Sequence, residues 1–237
     1  MAMGDRLPVL VRQSRPDDFG AIIELCDAVY AGGASWTLDQ LASHHRVFPE
    51  GQLVAVDPVS GQLVGMAASL IILWDDYLPQ ATWRGFTAGG SFVNHNPEHG
   101  RTLYGAEVMV RPGMQGRGVG SALYARRRTL AEQLGLLRIR AGGRLRGYGA
   151  VAQKMEPLDY VLSVVRGERA DPTLTFQLRR GFHVIDVVAG YLRHDPESLG
   201  YAATIQWINP TVATPPDYGT AHPALAPYVP RPGEQHR

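Results

Sequence analysis

Val108-Met109-Val110-Arg111-Pro112-Gly113-Met114-Gln115-Gly116-Arg117-Gly118-Val119-Gly120 runs straight into Ser121-Ala122-Leu123. A strand pattern stops at Arg111-Pro112, glycines alternate at 116, 118 and 120, and a helical pattern follows at once. Such a junction leaves consecutive backbone N–H groups at a helix N-terminus with no intrahelical partner, and the helix dipole adds partial positive charge there. A pyrophosphate fits that arrangement. The glycines let phosphate oxygens approach the main chain and permit backbone angles that side chains obstruct. Two other phosphate loops fit less well. A Walker loop needs a lysine after its last glycine, but Val119 follows Gly118. A dinucleotide fold needs G-x-G-x-x-G near the start of a βαβ unit, whereas this G-x-G-x-G lies far into the chain. A merely tight turn is the remaining alternative, and three alternating glycines would be costly there without a ligand.

Outward from this loop, Val9 to Gln13 is β-like, and Phe19, Ile22, Ile23, Leu25, Cys26 and Val29 follow the helical period until Ala31-Gly32-Gly33-Ala34 breaks it. Thr37 reads as an N-cap for a second helix bearing Leu38, Leu41 and Val47. Gln52–Val56 and Gln62–Trp74 flank Asp57-Pro58-Val59-Ser60-Gly61 as a β-hairpin. Residues 75–102 read as an irregular excursion with one short strand around Trp83. Leu103–Val110 is a strand, Ser121–Leu134 a helix and Leu136–Ala141 another strand. A helix begins near Pro157, and a second begins at Asp171-Pro172 and ends at Gly181. Phe182–Arg193 and Tyr201–Ile208 close the series. The pattern predicts an α/β (α+β) fold with helices around a mixed sheet. Residues 1–209 form the domain, and the proline-rich segment 210–237 is expected to be extended or disordered.

The bulk numbers exclude more than they assign. The 237 residues are 45% apolar and 19% charged, as in an ordinary soluble domain. A net charge of +1 gives no reason to expect nucleic acid or an anionic membrane as partner. The arginines at 126–128, 138, 140, 144 and 146 are read mostly as a solvated face, with no aromatic stacking pattern beside them. The single cysteine, Cys26, and the absence of an apolar export segment at the start fit a cytoplasmic protein. His95-x-x-Glu98-His99 lacks the helical framing of a zinc motif, so no metal is expected. Edge strands and the proline-rich tail are compatible with a homodimer.

Gln115-Gly116-Arg117-Gly118-Val119-Gly120 matches the Q/R-x-x-G-x-G/A signature, and on it the chain resembles the GNAT superfamily of acyl-CoA-dependent N-acyltransferases over residues 9–208. Arg180-Gly181-Phe182 looks like the end of that superfamily's second motif. Leu103–Val110, Ala141–Tyr148 and Asp171–Leu178 look more narrowly like the acetyltransferase domain that precedes a carbon–nitrogen hydrolase (nitrilase-like) domain in some bacterial proteins. The chain ends where that second domain would begin, as a free-standing version would.

The resemblance implies a mostly antiparallel sheet splayed between its fourth and fifth strands, with pantetheine of acetyl-CoA in the opening. Val108, Met109 and Val110 would then line the cofactor, with a backbone amide near Val110 polarising the thioester carbonyl. The amides of Gln115, Gly116, Arg117, Gly118, Val119, Gly120 and Ser121 would hold the pyrophosphate, with Arg111 or Arg117 in support. Glu107 is the expected base toward a small-molecule amine. The acid is open, because the position where many members carry a tyrosine holds Gln177; Tyr148 is the substitute considered. The acceptor pocket is expected around Gly32, Gly33, Trp36, Trp74, Asp75 and His95. A catalytically weak acyl-CoA-binding sensor or scaffold is the alternative function.

Overall fold

The computed structural model describes residues 8–30, 35–193, 195–219 and 221–233. Seven strands form one sheet: β1 (Leu10–Gln13), β2 (Gln52–Val56), β3 (Leu63–Ile72), β4 (Thr102–Val110), β5 (Arg138–Arg144), β6 (His183–Val188) and β7 (Ala202–Ile208). Their spatial order is β1-β2-β3-β4-β5-β7-β6. Every neighbouring pair is antiparallel except β4–β5, which is parallel. The helices are α1 (Phe19–Tyr30), α2 (Leu38–Val47), α3 (Trp83–Phe86), α4 (Val119–Gln133), α5 (Pro157–Val165) and α6 (Leu174–Leu178).

β3 is buried at all ten positions, because helices cover both of its faces. Met66 joins Ile22 and Leu25 of α1 in one core cluster, while Ala67 and Val64 join Val119 and Leu123 of α4 in another. A Cβ on Gly65 would sit 2.8 Å from Val119 Cγ1, so the missing side chain lets α4 press onto β3. The parallel contact between β4 and β5 is short. It pairs Thr102 with Arg138, Leu103 with Ile139 and Tyr104 with Arg140, and then stops although both strands continue. Beyond Tyr104 no further pair forms, and past Gly105, which still lies beside Ala141, the two strands part in the middle of the sheet.

Three expectations change. Trp83 lies in a helix and not a strand: Thr82 Oγ1 accepts from Gly85 N at 3.3 Å and caps it. The aromatic residues favour a strand by propensity, and the local cap overrides them. The helix after the glycine loop begins at Val119, two residues earlier than the apolar pattern indicated, with Gly118 as N-cap. Gly142 and Gly143 lie inside β5 and not in a loop beyond it.

The segment after Pro210 packs on the domain over its described residues. His222 N donates to Ile185 O at 2.8 Å, on the free side of β6. Leu225 is fully buried, and Tyr228 accepts from Arg166 Nε at 2.9 Å. Two short 3-10 turns, Pro215–Tyr218 and Ala226–Tyr228, carry the chain there. Among the described residues no helix is long and apolar enough to cross a membrane.

Candidate active site

The glycine loop opens α4 with left-handed residues. Gly116 has φ 74° and Gly118 φ 94°, angles that L side chains take up only with strain. No side chain caps the helix. Met114 N donates to Arg111 O, and Ala122 N donates to Gly118 O. Among the described residues, the amides between them, Gln115 to Ser121, meet no acceptor from the chain. Main-chain donors at this helix N-terminus are thus available to a ligand, and a pyrophosphate fits that donor set.

The nearby positive charge comes from an unexpected residue. Arg111 Nε is spent on Leu63 O at 3.2 Å, and Arg117 NH1 lies 3.4 Å from Met114 Sδ. Arg180 reaches the head of α4, donating to Ser121 Oγ through Nε at 3.0 Å and NH2 at 2.5 Å. Its guanidinium lies 4.8 Å from the ring centroid of Phe176, which packs beneath Gly120.

Glu107 stands where β4 has left β5. The β3–β4 register slips between Ala68 and Ser69, so Ala106 is an extra residue that bulges the strand just before Glu107. The bulge is held by Arg127 of α4, which is 1% exposed. Its NH2 donates to Glu107 O at 2.7 Å and Ala68 O at 3.0 Å, and its Nε to Ser69 Oγ at 2.9 Å. Trp83 Nε1 donates to Ala106 O at 2.9 Å from the other face. Arg127 therefore belongs to the interior and not to a solvated face. Buried Arg140 departs from that expectation as well; its guanidinium lies 4.3 Å from the Trp74 ring.

The Glu107 carboxylate accepts the Tyr30 hydroxyl, whose oxygen is 3.0 Å from each of Oε1 and Oε2. It also accepts the Val108 amide at 3.0 Å. Burial pushes its pKa upward, while the Tyr30 and Val108 bonds and the charges of Arg127 and Arg144 pull the other way. The net direction is up, so the carboxylate holds a proton more readily than an ordinary glutamate. Burial and the adjacent carboxylate hold Tyr30 well above the ordinary phenol value, so it stays a donor. Sequence reading missed Tyr30; its place two helical turns beyond Ile22, on the buried side of α1, is the signal that could have found it.

The other expected site residues scatter. Tyr148 is 4% exposed and packs edge-on against Tyr160 and Tyr201, in the core cluster shared by β5, β7 and α5. Trp36 is buried among His44, Trp83 and Phe92. Trp74 stacks on Phe86, and Asp75 is exposed. His95 accepts the Ile71 amide at Nδ1, 3.0 Å away, and stacks on Phe48, so it supports β3. Gly32 and Gly33 lie outside the described residues. The loop between β6 and β7 was missed as a neighbour of this region. Its Asp195 holds Arg144 of β5 by two bonds of 2.7 and 2.6 Å, and its Tyr191 hydroxyl bonds that of Tyr104.

Comparison with known proteins agrees with this geometry. The model of the Acetyltransferase (GNAT) family matches residues 22–152. The probable hydrolase YhcX of Bacillus subtilis is 37% identical over 201 residues, which are 85% of this chain but 39% of that protein. The chain thus spans about two fifths of that relative's length. The uncharacterized N-acetyltransferase YkwB of Bacillus subtilis is 38% identical over 174 residues, 73% of this chain and 75% of that one. The GphF GNAT-like decarboxylase, solved with isobutyryl-CoA, shares the fold with a TM-score of 0.68 at 20% identity, over 84% of this chain and 98% of that one. With the family match spanning more than half its length, this chain belongs to the acetyltransferase (GNAT) family of acyltransferases.

Proposed function

We propose that the protein transfers an acetyl group from acetyl-CoA to the amine of a small molecule, by direct attack within a ternary complex in the cytoplasm. The observation that carries this reading is the run of uncapped amides from Gln115 to Ser121 at the head of α4, beside the opening between β4 and β5. In this reading the amides hold the pyrophosphate and Arg180 adds charge. Val108 to Val110 line the pantetheine, and the thioester meets the acceptor amine near Glu107. Glu107 takes the amine proton, so that the nitrogen attacks as a neutral nucleophile. Tyr30 orients the carboxylate.

Direct attack is supported by the state of the one cysteine, which is unsuited to a covalent route. Cys26, the single cysteine, is 1% exposed in the core, and burial pushes its thiol to about 11, far from a thiolate at neutral pH. One observation favours the second reading, an acyl-CoA-binding module with little turnover: Gln177 stands where the superfamily resemblance calls for an acid tyrosine.

The test is coenzyme A release from acetyl-CoA over a panel of small amines, beside equilibrium binding of acetyl-CoA. Turnover with at least one amine, lowered about 10²-fold or more by Glu107→Gln with affinity retained, supports transfer. Saturable binding without turnover supports the binding module. Failure to bind acetyl-CoA at all would remove both readings.

A further inference from the structure

Tyr124 of α4 and Gln177 of α6 form a polar pair inside the core, 5% and 6% exposed. Gln177 Nε2 donates to Tyr124 Oη at 3.2 Å. In that bond the hydroxyl accepts, and among the described residues its own proton meets no acceptor. The other amide atom, Gln177 Oε1, is buried without a hydrogen-bond partner. It lies against Gly143 of β5, where any Cβ would collide with it. Gly143 is beyond Arg140, the last β5 residue paired with β4, so the glutamine borders the widened part of the opening. Val108, across that opening on β4, packs on the same core cluster as Tyr124. The pair thus bridges α4 and α6 beside the splay, with one hydroxyl proton uncommitted.

The surroundings suit a proton donor. Burial pushes the Tyr124 phenol upward, which keeps it protonated at neutral pH. The Gln177 N–H and the Arg127 charge, whose carbon lies 5.6 Å from the ring centroid, both favour the phenolate left after donation. A leaving thiolate needs a donor with these properties, and α6 itself offers only an amide at the matching position.

We propose that Tyr124 returns the proton to the departing thiolate of coenzyme A, with Gln177 as its positioning residue. The inference rests on the acetyl transfer proposed above. Once Glu107 has taken the ammonium proton and passed it to water, the neutral amine nitrogen bonds to the thioester carbonyl carbon and gives its next proton to Glu107. The carbon–sulfur bond breaks with its electron pair on sulfur, which takes the Tyr124 hydroxyl proton. The phenolate, held by Gln177 Nε2–H, regains a proton from water as products leave, and Glu107 releases its own to water.

The test needs no knowledge of the acceptor. The thiol pKa of bound coenzyme A is measured from the pH dependence of its alkylation, beside equilibrium binding of acetyl-CoA. Tyr124→Phe is expected to raise that thiol pKa by about one unit or more, since a hydrogen bond to a charged group is lost. Acetyl-CoA affinity should stay within about threefold, because the thioester carries no thiolate charge. The same thiol pKa in both proteins would overturn the assignment. Gln177→Met keeps the hydroxyl and removes the amide, and should move the pKa in the same direction by less. An unmoved pKa there overturns it too, should Tyr124→Phe fail to fold. Loss of acetyl-CoA binding by the unmodified protein would instead remove the transfer reading on which the inference stands.

Discussion

Replacing Arg127 by methionine tests how the fold holds the bulge that carries Glu107. The guanidinium is the donor for Glu107 O, Ala68 O and Ser69 Oγ at 2.7, 3.0 and 2.9 Å, deep in the sheet. Methionine fills much the same space with no donor. Each acceptor left without a partner costs about 1–3 kcal/mol. Releasing the guanidinium from a desolvation penalty of several kcal/mol returns part of that sum. A net loss of about 2–4 kcal/mol is expected. At about 2–4 °C per kcal/mol for a domain of this size, the melting temperature should fall by about 4–16 °C. Urea denaturation should show a lower midpoint with an unchanged slope, as for a change in stability alone. The bulge at Ala106 would relax with it, so Glu107 should lose position and turnover should drop even where the variant is fully folded. Arg127→Lys, a point charge with no fork, should fall between the two. A stability loss under about 1 kcal/mol for Arg127→Met, with turnover intact, would refute the view that this arginine clamps the bulge.

Further perturbations probe other links. Gly118→Asp places bulk and negative charge among the uncapped amides; acetyl-CoA binding by calorimetry should vanish, while the left-handed φ of 94° costs the folded state about 1–2 kcal/mol. Retained affinity would mean that the loop does not hold the pyrophosphate. Tyr30→Phe removes the hydroxyl that pulls the Glu107 pKa down. The acid limb of kcat/KM should therefore move up by about one pH unit, and an unmoved limb would separate Tyr30 from the base. His44 is buried against Phe92 and Gly90 O, and burial lowers its pKa from 6.5 to about 4. The unfolded chain binds that proton more readily, so this contribution is complete above pH 6.5 and is lost as pH falls through 4. About 3 kcal/mol is at stake in that window. His44→Phe should flatten the corresponding part of the stability–pH curve, and parallel curves for the two proteins would contradict this.

Local chemistry in the sequence determined the order of elements and the glycine-rich turn that opens α4. Glycine spacing at 116, 118 and 120, the Thr37 cap and the apolar periods act within a few residues, and each reports its own structure. The strand position of Glu107 was legible for a related reason, since its strand reads directly into that turn. Tertiary contact decided the rest. The arginines of 126–128 look alike in sequence, yet only packing against a bulged strand selects Arg127 for burial. The pairing of Tyr30 with Glu107 and of Gln177 with Tyr124 joins residues far apart in the chain. Tyr148, attractive for its place after the fifth strand, is claimed by neighbouring rings. A side chain's charge and hydrogen-bonding capacity are written in the sequence. Which partners satisfy them is set by the sheet order and the approach of α4, because long-range contacts and desolvation exist only after the chain has closed on itself.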